Sequence, residues 1–416
     1  MRIGIFTESF EPLINGVSTS VKTLMAELER AGHTVFVITS QFPNYRDERP
    51  GIYRFPSVNS IIEPDYVLPV PISPRITSLI PKLHLDVIHS HSPFMLGVLA
   101  LRMARRLSLP IISTNHTLYT EYTHYMPVLP TVVTKELAIR WMRKYYNDCD
   151  YILAPSRLTR DRLISECDVT TPISIVPTGI PAPPYLLTSA IDIKRNLDLP
   201  VESRILLYVG RLAPEKNLLM LLESFQKIAA VEKDTYLVIA GSGKSDSWMQ
   251  DQARKLGVWE RMRFAGFVPR TKLDPLYNAA EIFMFPSKTE TQGVAIGEAL
   301  ASGTPCVVVN EGGAPESIRD GYDGILVNDD PNEMAQQALC LLQDAGLRRT
   351  MSENAKKRAK QNTPEAVARV IISIYEQAIE AFNSEAAMAA VGYRPRVLPI
   401  ADVVNTTQEY EVPRDI

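Results

Sequence analysis

The sequence predicts an α/β protein made of two successive doubly wound parallel sheets, and two observations carry that prediction. Short β-branched apolar runs alternate with amphipathic helical stretches, the pattern of strands joined by crossover helices. The pattern breaks once, at a proline cluster, and then restarts with the same grammar. In the first half the strands are RIGIF, VFVIT, DVIHS, IISTN, YILAPS and ISIVP. An NG turn and a helix from about Ser18 to Ala31, stopped by Gly32, separate the first two. The break is PTGIPAPPY, where Pro177, Pro181, Pro183 and Pro184 forbid regular structure. The second half continues with RILLYVG, TYLVIAG, MRFAGF, EIFMFPS, PCVVV and GILV. A first domain over 1–180, a linker over 181–200 and a second domain over 201–363 follow. The amphipathic stretch 364–382, with Val367, Val370, Ile371, Ile374 and Ala378 on one side, closes the fold, and 383–416 reads as a loosely held tail.

Composition narrows the class. The chain has 416 residues, 45% hydrophobic and 22% charged, which excludes disorder as its main state. It has no run of about 18 apolar residues and no signal-peptide pattern behind MRIGIF, so a cytoplasmic protein is expected, peripheral at most on the inner face of a membrane. Cys149, Cys167, Cys306 and Cys340 fit neither a disulfide framework nor close-spaced metal ligands. A net charge of -3 is far from that of a nucleic-acid binder. The balance is uneven, with 18 basic against 16 acidic residues in 1–180 and an acidic excess beyond.

Ligands of such sheets bind beyond the carboxyl ends of the strands, which places the expected site in a cleft between the domains. Two constellations lie at such ends. After EIFMFPS comes Thr289-Glu290-Thr291-Gln292-Gly293-Val294-Ala295-Ile296-Gly297-Glu298. Glu290 precedes the helix and Glu298 lies within it, so they address different parts of one ligand. The free N–H groups near Gly293 and Val294 form an anion site. After RILLYVG, Arg211 and Lys216 put a planar fork and a point charge where a diphosphate would be held. Carboxylates for hydroxyl groups beside cations for phosphates describe a nucleotide-sugar.

Gly210-Arg211 through Lys216-Asn217, Glu290 through Glu298 and Gly312-Gly313-Ala314-Pro315-Glu316 together resemble the signature set of family 4 retaining glycosyltransferases of GT-B fold. The resemblance covers the chain to about residue 382. It implies that Arg211 and Lys216 hold the donor diphosphate, Glu290 the transferred sugar and Glu298 the ribose hydroxyls. It further implies that main chain beside Gly16 meets the phosphates, and that His116 bonds the donor sugar near the acceptor. One departure is Gln292, where many members carry Phe. NHTLYTEYTHY and GIFTESFEPLINGVSTSV resemble the branch that glycosylates diacylglycerol. The implied reaction moves a hexose from UDP-glucose or UDP-galactose to a hydroxyl acceptor with retention, with catalytic roles for His116, Glu290, Arg211 and Lys216. No cofactor and no metal are expected.

Downstream, Lys135, Arg140, Trp141, Arg143 and Lys144, with Tyr145 and Tyr146, mix cations and aromatics on a helix that could lie on an anionic bilayer; a soluble acceptor and an ordinary surface helix are the alternative. Three motifs are decoys. Gly243-Lys244-Ser245 lacks the first glycine of a phosphate loop. Asp148-Cys149-Asp150 precedes its strand, where a metal-binding DxD motif would follow it. His89 and His91 lack a third zinc ligand. A sugar-nucleotide epimerase, a glycan phosphorylase and a donor-binding scaffold that lost catalysis are the competing classes. The epimerase needs no lipid-facing helix, the phosphorylase needs a pyridoxal lysine that has no evident context, and the intact charged set argues against the scaffold.

Overall fold

The computed structural model describes residues 1–60, 66–118, 131–183 and 188–390. It divides into two compact units, one of Met1–Gly179 with the chain from Pro364 onward, the other Ile180–Thr363.

The first unit contains β1 (Arg2–Phe6), β2 (Thr34–Ser40), β3 (Ile52–Phe55), β4 (Ser57–Asn59), β5 (Val67–Pro69), β6 (Val87–Ser90), β7 (Ile111–Thr114), β8 (Tyr151–Ala154) and β9 (Ile173–Ile175). Seven of them form a parallel sheet in the order β3-β2-β1-β6-β7-β8-β9, while β4 and β5 pair antiparallel on their own. Successive residues of a strand face opposite sides. Thus Ile5 and Val87 pack with Val21 and Leu28 of the helix Gly16–Arg30, whereas Phe6 and Ile88 pack with Leu96 and Ala100 of the helix Met95–Leu107. The helix Pro364–Ala390 adds Ile371, Ile374, Tyr375 and Ala378 to the first of these cores.

The second unit holds β10 (Arg204–Val209), β11 (Thr235–Ala240), β12 (Met262–Gly266), β13 (Ile282–Phe285), β14 (Cys306–Val309) and β15 (Gly324–Val327). Its parallel order is β12-β11-β10-β13-β14-β15. In each sheet the strand order reverses once, between β1 and β6 and between β10 and β13. A doubly wound sheet opens its binding crevice at such a reversal.

Several local expectations need correction. Asn15-Gly16 is not a free turn but the start of a helix: Asn15 Oδ1 accepts from Ser18 N at 2.8 Å while Ser18 Oγ accepts from Asn15 N at 3.0 Å. That reciprocal cap satisfies two otherwise orphaned donors. The segment 181–200 is partly structured, because Ser189 caps a helix Ala190–Asn196 whose Ile193 packs, with buried Leu199, against Ile205. β3 escaped notice because Arg54 interrupts its apolar run; its buried guanidinium is paired to Asp47 at 2.7 Å. Residues 383–390, expected as tail, continue the last helix. Positions 391–416, 184–187 and most of NHTLYTEYTHY lie outside the described residues.

Candidate active site

The reversal point of the second sheet is where the charged motifs stand. Arg211 and Lys216 follow β10, and Glu290 follows β13, its neighbour in the sheet. Lys216 Nζ donates to Glu290 Oε1 at 2.5 Å, and Ser287 Oγ reaches the same oxygen at 3.0 Å. Burial pushes the Glu290 carboxyl up, but the charge and hydrogen bond of Lys216, with Ser287 and Arg211, outweigh it and hold the group below its ordinary range. Arg211 is half-exposed and pairs with Glu215 at 2.5 Å. Asn217, in left-handed backbone, anchors this loop through Pro286 O at 3.2 Å and Asp329 Oδ1 at 2.7 Å.

Glycines bring the surrounding loops into contact. A Cβ on Gly312, whose φ is +68°, would lie 2.6 Å from Lys288 O and 3.1 Å from Glu290 O. The N–H of Gly313 donates to that Glu290 carbonyl at 2.7 Å, and Ser317 Oγ donates to Gln292 O at 2.5 Å. The GGAPE motif therefore holds the Glu290 loop by its backbone. Gly293, with φ at +84°, opens the helix Val294–Ser302, which no side chain caps. A helix start with left-handed glycine and no side-chain cap turns main-chain donors toward an anion.

Glu298, four residues into that helix, sits apart from the Lys216 pair. It is buried, accepting from Tyr277 Oη at 3.0 Å and pairing with Arg270 Nε at 3.0 Å. Burial raises its carboxyl above the ordinary range against the opposing pull of Arg270 and Tyr277. Neither Arg270 nor Tyr277 was legible as a site residue. The signal lay in three dimensions, since Tyr277 precedes Glu298 by 21 residues.

In the first unit His116 follows β7 and meets His91, which follows β6, with His91 Nδ1 and His116 Nε2 at 2.8 Å. Both line a small cavity with Ser20 and Thr23 of the helix that Gly16 begins. A Cβ on Gly16 would meet nothing within 4 Å, so the chain there is open to close approach. Burial depresses both histidines, His116 to about 4. His89 bonds Tyr375 Oη at 2.6 Å and Thr114 Oγ1 at 2.7 Å, so both its nitrogens are satisfied, while His91 Nε2 is buried with no partner. The expectation of two satisfied histidines thus holds for His89 only.

Residues 14–182 match Glycosyltransferase Family 4 and residues 190–358 match Glycosyl transferases group 1. The chain is 32% identical over 314 residues to an alpha-monoglucosyldiacylglycerol synthase of Streptococcus pneumoniae, covering 74% of this chain and 70% of that one. The chain belongs to the family 4 glycosyltransferases. This transferase is also 29% identical over 404 residues to the alpha-monoglucosyldiacylglycerol synthase of Acholeplasma laidlawii, covering 92% of this chain and 99% of that one. A solved sucrose-phosphate synthase from Thermosynechococcus elongatus shares its GT-B fold at a TM-score of 0.74 and 20% identity, over 92% of this chain and 100% of that one.

The transferase's surface helix Thr131–Asn147 departs from expectation in composition. Tyr145 and Tyr146 are core residues, 3% and 0% exposed, because they point at β6 and β7: Tyr145 Oη donates to Ser90 Oγ, and Asn115 donates to Tyr146 Oη. Arg140 pairs with Glu136 and Arg143 with Asp168, which halves the charge these four cations present. Lys135 and Lys144 are exposed. Val133, Leu137 and Trp141, spaced by four, form an exposed apolar stripe, and Trp141 Nε1 donates to Pro93 O beside exposed Phe94 and Met95. No described helix of the transferase is long and apolar enough to cross a membrane.

The decoys have structural explanations. A Cβ on Gly243 would clash with Leu212 O at 2.2 Å, and Ser245 N donates to that carbonyl, so this loop braces the Arg211 turn. Asp148 pairs with Arg105 at 2.8 Å and Asp150 accepts from Ile111 N at 2.8 Å. Cys149, Cys167 and Cys306 are buried, and all four cysteines are free thiols.

Proposed function

We propose that this glycosyltransferase moves glucose from UDP-glucose to the free hydroxyl of diacylglycerol, with retention, while resting on an anionic membrane surface. The observation that carries the acceptor reading is the match to two alpha-monoglucosyldiacylglycerol synthases, one of them over nearly its whole length. The exposed stripe of Val133, Leu137 and Trp141 beside Lys135 and Lys144 supports it, since apolar side chains flanked by cations suit the headgroup level of a bilayer.

On this reading Arg211, Lys216 and the helix start at Gly293 and Val294 take the donor diphosphate, Glu290 the sugar and Glu298 the ribose. No side chain needs to become a covalent nucleophile. The leaving diphosphate accepts the acceptor's proton on the same face of the sugar, and the protein's contribution is placement and stabilisation of the departing charge.

The test is a donor screen with purified protein. UDP-glucose, UDP-galactose and GDP-mannose are each offered with vesicles of diacylglycerol and phosphatidylglycerol, and products are read by mass. A hexosyl-diacylglycerol formed fastest from UDP-glucose is expected. Efficient glycosylation of a water-soluble acceptor, with no lipid product from any donor, would overturn the lipid assignment.

A further inference from the structure

We propose that Arg270 and Tyr277 are positioning residues that fix the Glu298 carboxylate as a two-oxygen acceptor for the adjacent hydroxyls of a ribose, so that the second unit selects ribonucleotides over deoxyribonucleotides. The inference rests on the reading that Glu298 meets the ribose of the donor.

Arg270, Asp274 and Tyr277 lie on the helix Arg270–Ala279 at spacings of four and three, which puts them on one face. That helix packs against the helix Val294–Ser302, which carries Glu298. Each carboxylate oxygen of Glu298 is held separately, Oε1 by Arg270 Nε at 3.0 Å and Oε2 by Tyr277 Oη at 3.0 Å. By contrast, Lys216 and Ser287 converge on a single oxygen of Glu290. The Arg270 guanidinium is itself pinned, because its Nη1 bonds Asp274. Tyr277 is fully buried, its ring edge-on to Phe283 with centroids 5.5 Å apart, and Thr304 Oγ1 donates to its carbonyl at 2.7 Å. One donor to Glu298 is thus fixed by charge and the other by packing.

The chemistry of this cluster suits hydroxyls and not anions. Formally it holds two carboxylates and one cation, an excess of one negative charge that repels phosphate and favours O–H donors. A carboxylate offers about four acceptor positions, and with one used on each oxygen one remains on each. Two neighbouring oxygens with one open position apiece match two neighbouring hydroxyls. Glu298 keeps 7% of its surface exposed, an edge for that contact. Without Arg270, Asp274 and Glu298 face one another with no cation between them, and their repulsion displaces the carboxylate.

Calorimetric titration of the full chain at pH 7 reads the role as a ratio. UDP and GDP are each compared with their 2′-deoxy forms, and the better-bound pair is carried through the variants. Wild type is expected to bind the ribonucleotide about tenfold or more tightly than its deoxy form, which lacks a hydroxyl donated to a charged acceptor. Arg270→Gln and Tyr277→Phe should each bring that preference to within about threefold, and Arg270→Lys, which restores the cation without the fork, should recover part of it. Tyr277→Phe keeps the ring and its packing, so it carries the test if Arg270→Gln does not fold. A role in stability alone would lower affinity for both nucleotides equally and leave the ratio at its wild-type value, which would overturn the proposal. Glu298→Gln separates the two readings. A preference lost there but kept in Arg270→Gln and Tyr277→Phe overturns the positioning role alone. No nucleoside diphosphate bound by wild type, no preference in wild type, or a preference kept in Glu298→Gln overturns the ribose reading of Glu298 as well.

Discussion

Lys216 Nζ lies 2.5 Å from Glu290 Oε1, so the cation and the carboxylate neutralise one another in this structure. On the proposed donor assignment, a doubly charged diphosphate would compete with Glu290 for that cation. The same exchange would free a Glu290 oxygen for a sugar hydroxyl, which would couple binding of the two halves of the donor.

Lys216→Ala should lower kcat/KM by at least ~100-fold, or ~2.7 kcal/mol of transition-state stabilisation, because on the proposed assignment the cation acts where charge develops on the leaving group. It should also raise the Glu290 pKa, since burial is the largest influence on that carboxyl and Lys216 is what opposes it. The acid limb of the pH–rate profile then moves to higher pH. A profile of unchanged shape with near-normal turnover would contradict both roles.

The two glutamates should fail differently. Glu290→Gln should mainly lower kcat through a misplaced sugar, whereas Glu298→Gln should mainly raise KM for the donor. Glu298→Gln also removes one of the two carboxylates that pair with Arg270, the other being Asp274, and weakens the hydrogen bond from Tyr277, so a stability loss on the order of 1–3 kcal/mol should accompany it. Separate kcat and KM values with thermal melts of both variants check the division.

Gly312→Ala should impair activity without any change in a charged residue. The new methyl group would meet Lys288 O and Glu290 O in left-handed backbone, so the loop carrying Glu290 must move. A cost of about 1–2 kcal/mol is expected from the backbone alone, and kcat should drop more steeply than stability. Donor turnover in a variant that melts within a few degrees of wild type is the measurement.

Acid should weaken the first unit through its histidines. Burial lowers His116 to about 4 and His89 to about 3 in the folded state, against 6.5 as the ordinary value. Below pH 6.5 the unfolded chain binds protons that the folded chain refuses, so stability is full above 6.5 and falls as pH drops toward 4, by at most about 1.4 kcal/mol per pH unit for each ring. Buried Glu8 and Glu298, raised by burial, act in the opposite direction. The comparison is therefore with His89→Gln: the advantage of wild type in Tm should be largest near pH 7.5 and shrink at pH 5. An advantage independent of pH would exclude a buried neutral His89.

The membrane reading predicts sedimentation with phosphatidylglycerol vesicles at low salt and release as the Debye length shortens to about 8 Å at 0.15 M. Leu137→Ser with Trp141→Ser should weaken binding even at low salt, because the stripe supplies apolar insertion. Lys135→Gln with Lys144→Gln should cost on the order of 1 kcal/mol per cation. Arg140→Gln and Arg143→Gln should matter less, each being paired to a carboxylate. All three sets leave the proposed donor-site residues untouched, so slow hydrolysis of the donor should persist.

The legible part of the molecule is what local pattern encodes. Strand runs such as RIGIF and CVVV are apolar because both faces of a parallel sheet are covered, so each could be read without knowing its neighbours. Arg211, Lys216, Glu290 and Gly293 were legible because they fall directly after such strands, where a doubly wound sheet puts its loops. β3 and the helix Ala190–Asn196 were missed because Arg54 and the nearby prolines obscure a short pattern whose stability comes from packing.

The sequence by itself therefore determined the two-sheet architecture, the order of the motifs and the chemistry each offers. Only the tertiary structure decided which groups meet: Lys216 with Glu290 across 74 residues, Tyr277 with Glu298 across 21 and His91 with His116 across 25. It also turned Tyr145 and Tyr146 inward while leaving Val133, Leu137 and Trp141 exposed. The physical reason is that strand ends adjacent in a parallel sheet are far apart in sequence, and burial, which sets both charge state and exposure, is a property of the packed chain and not of any segment.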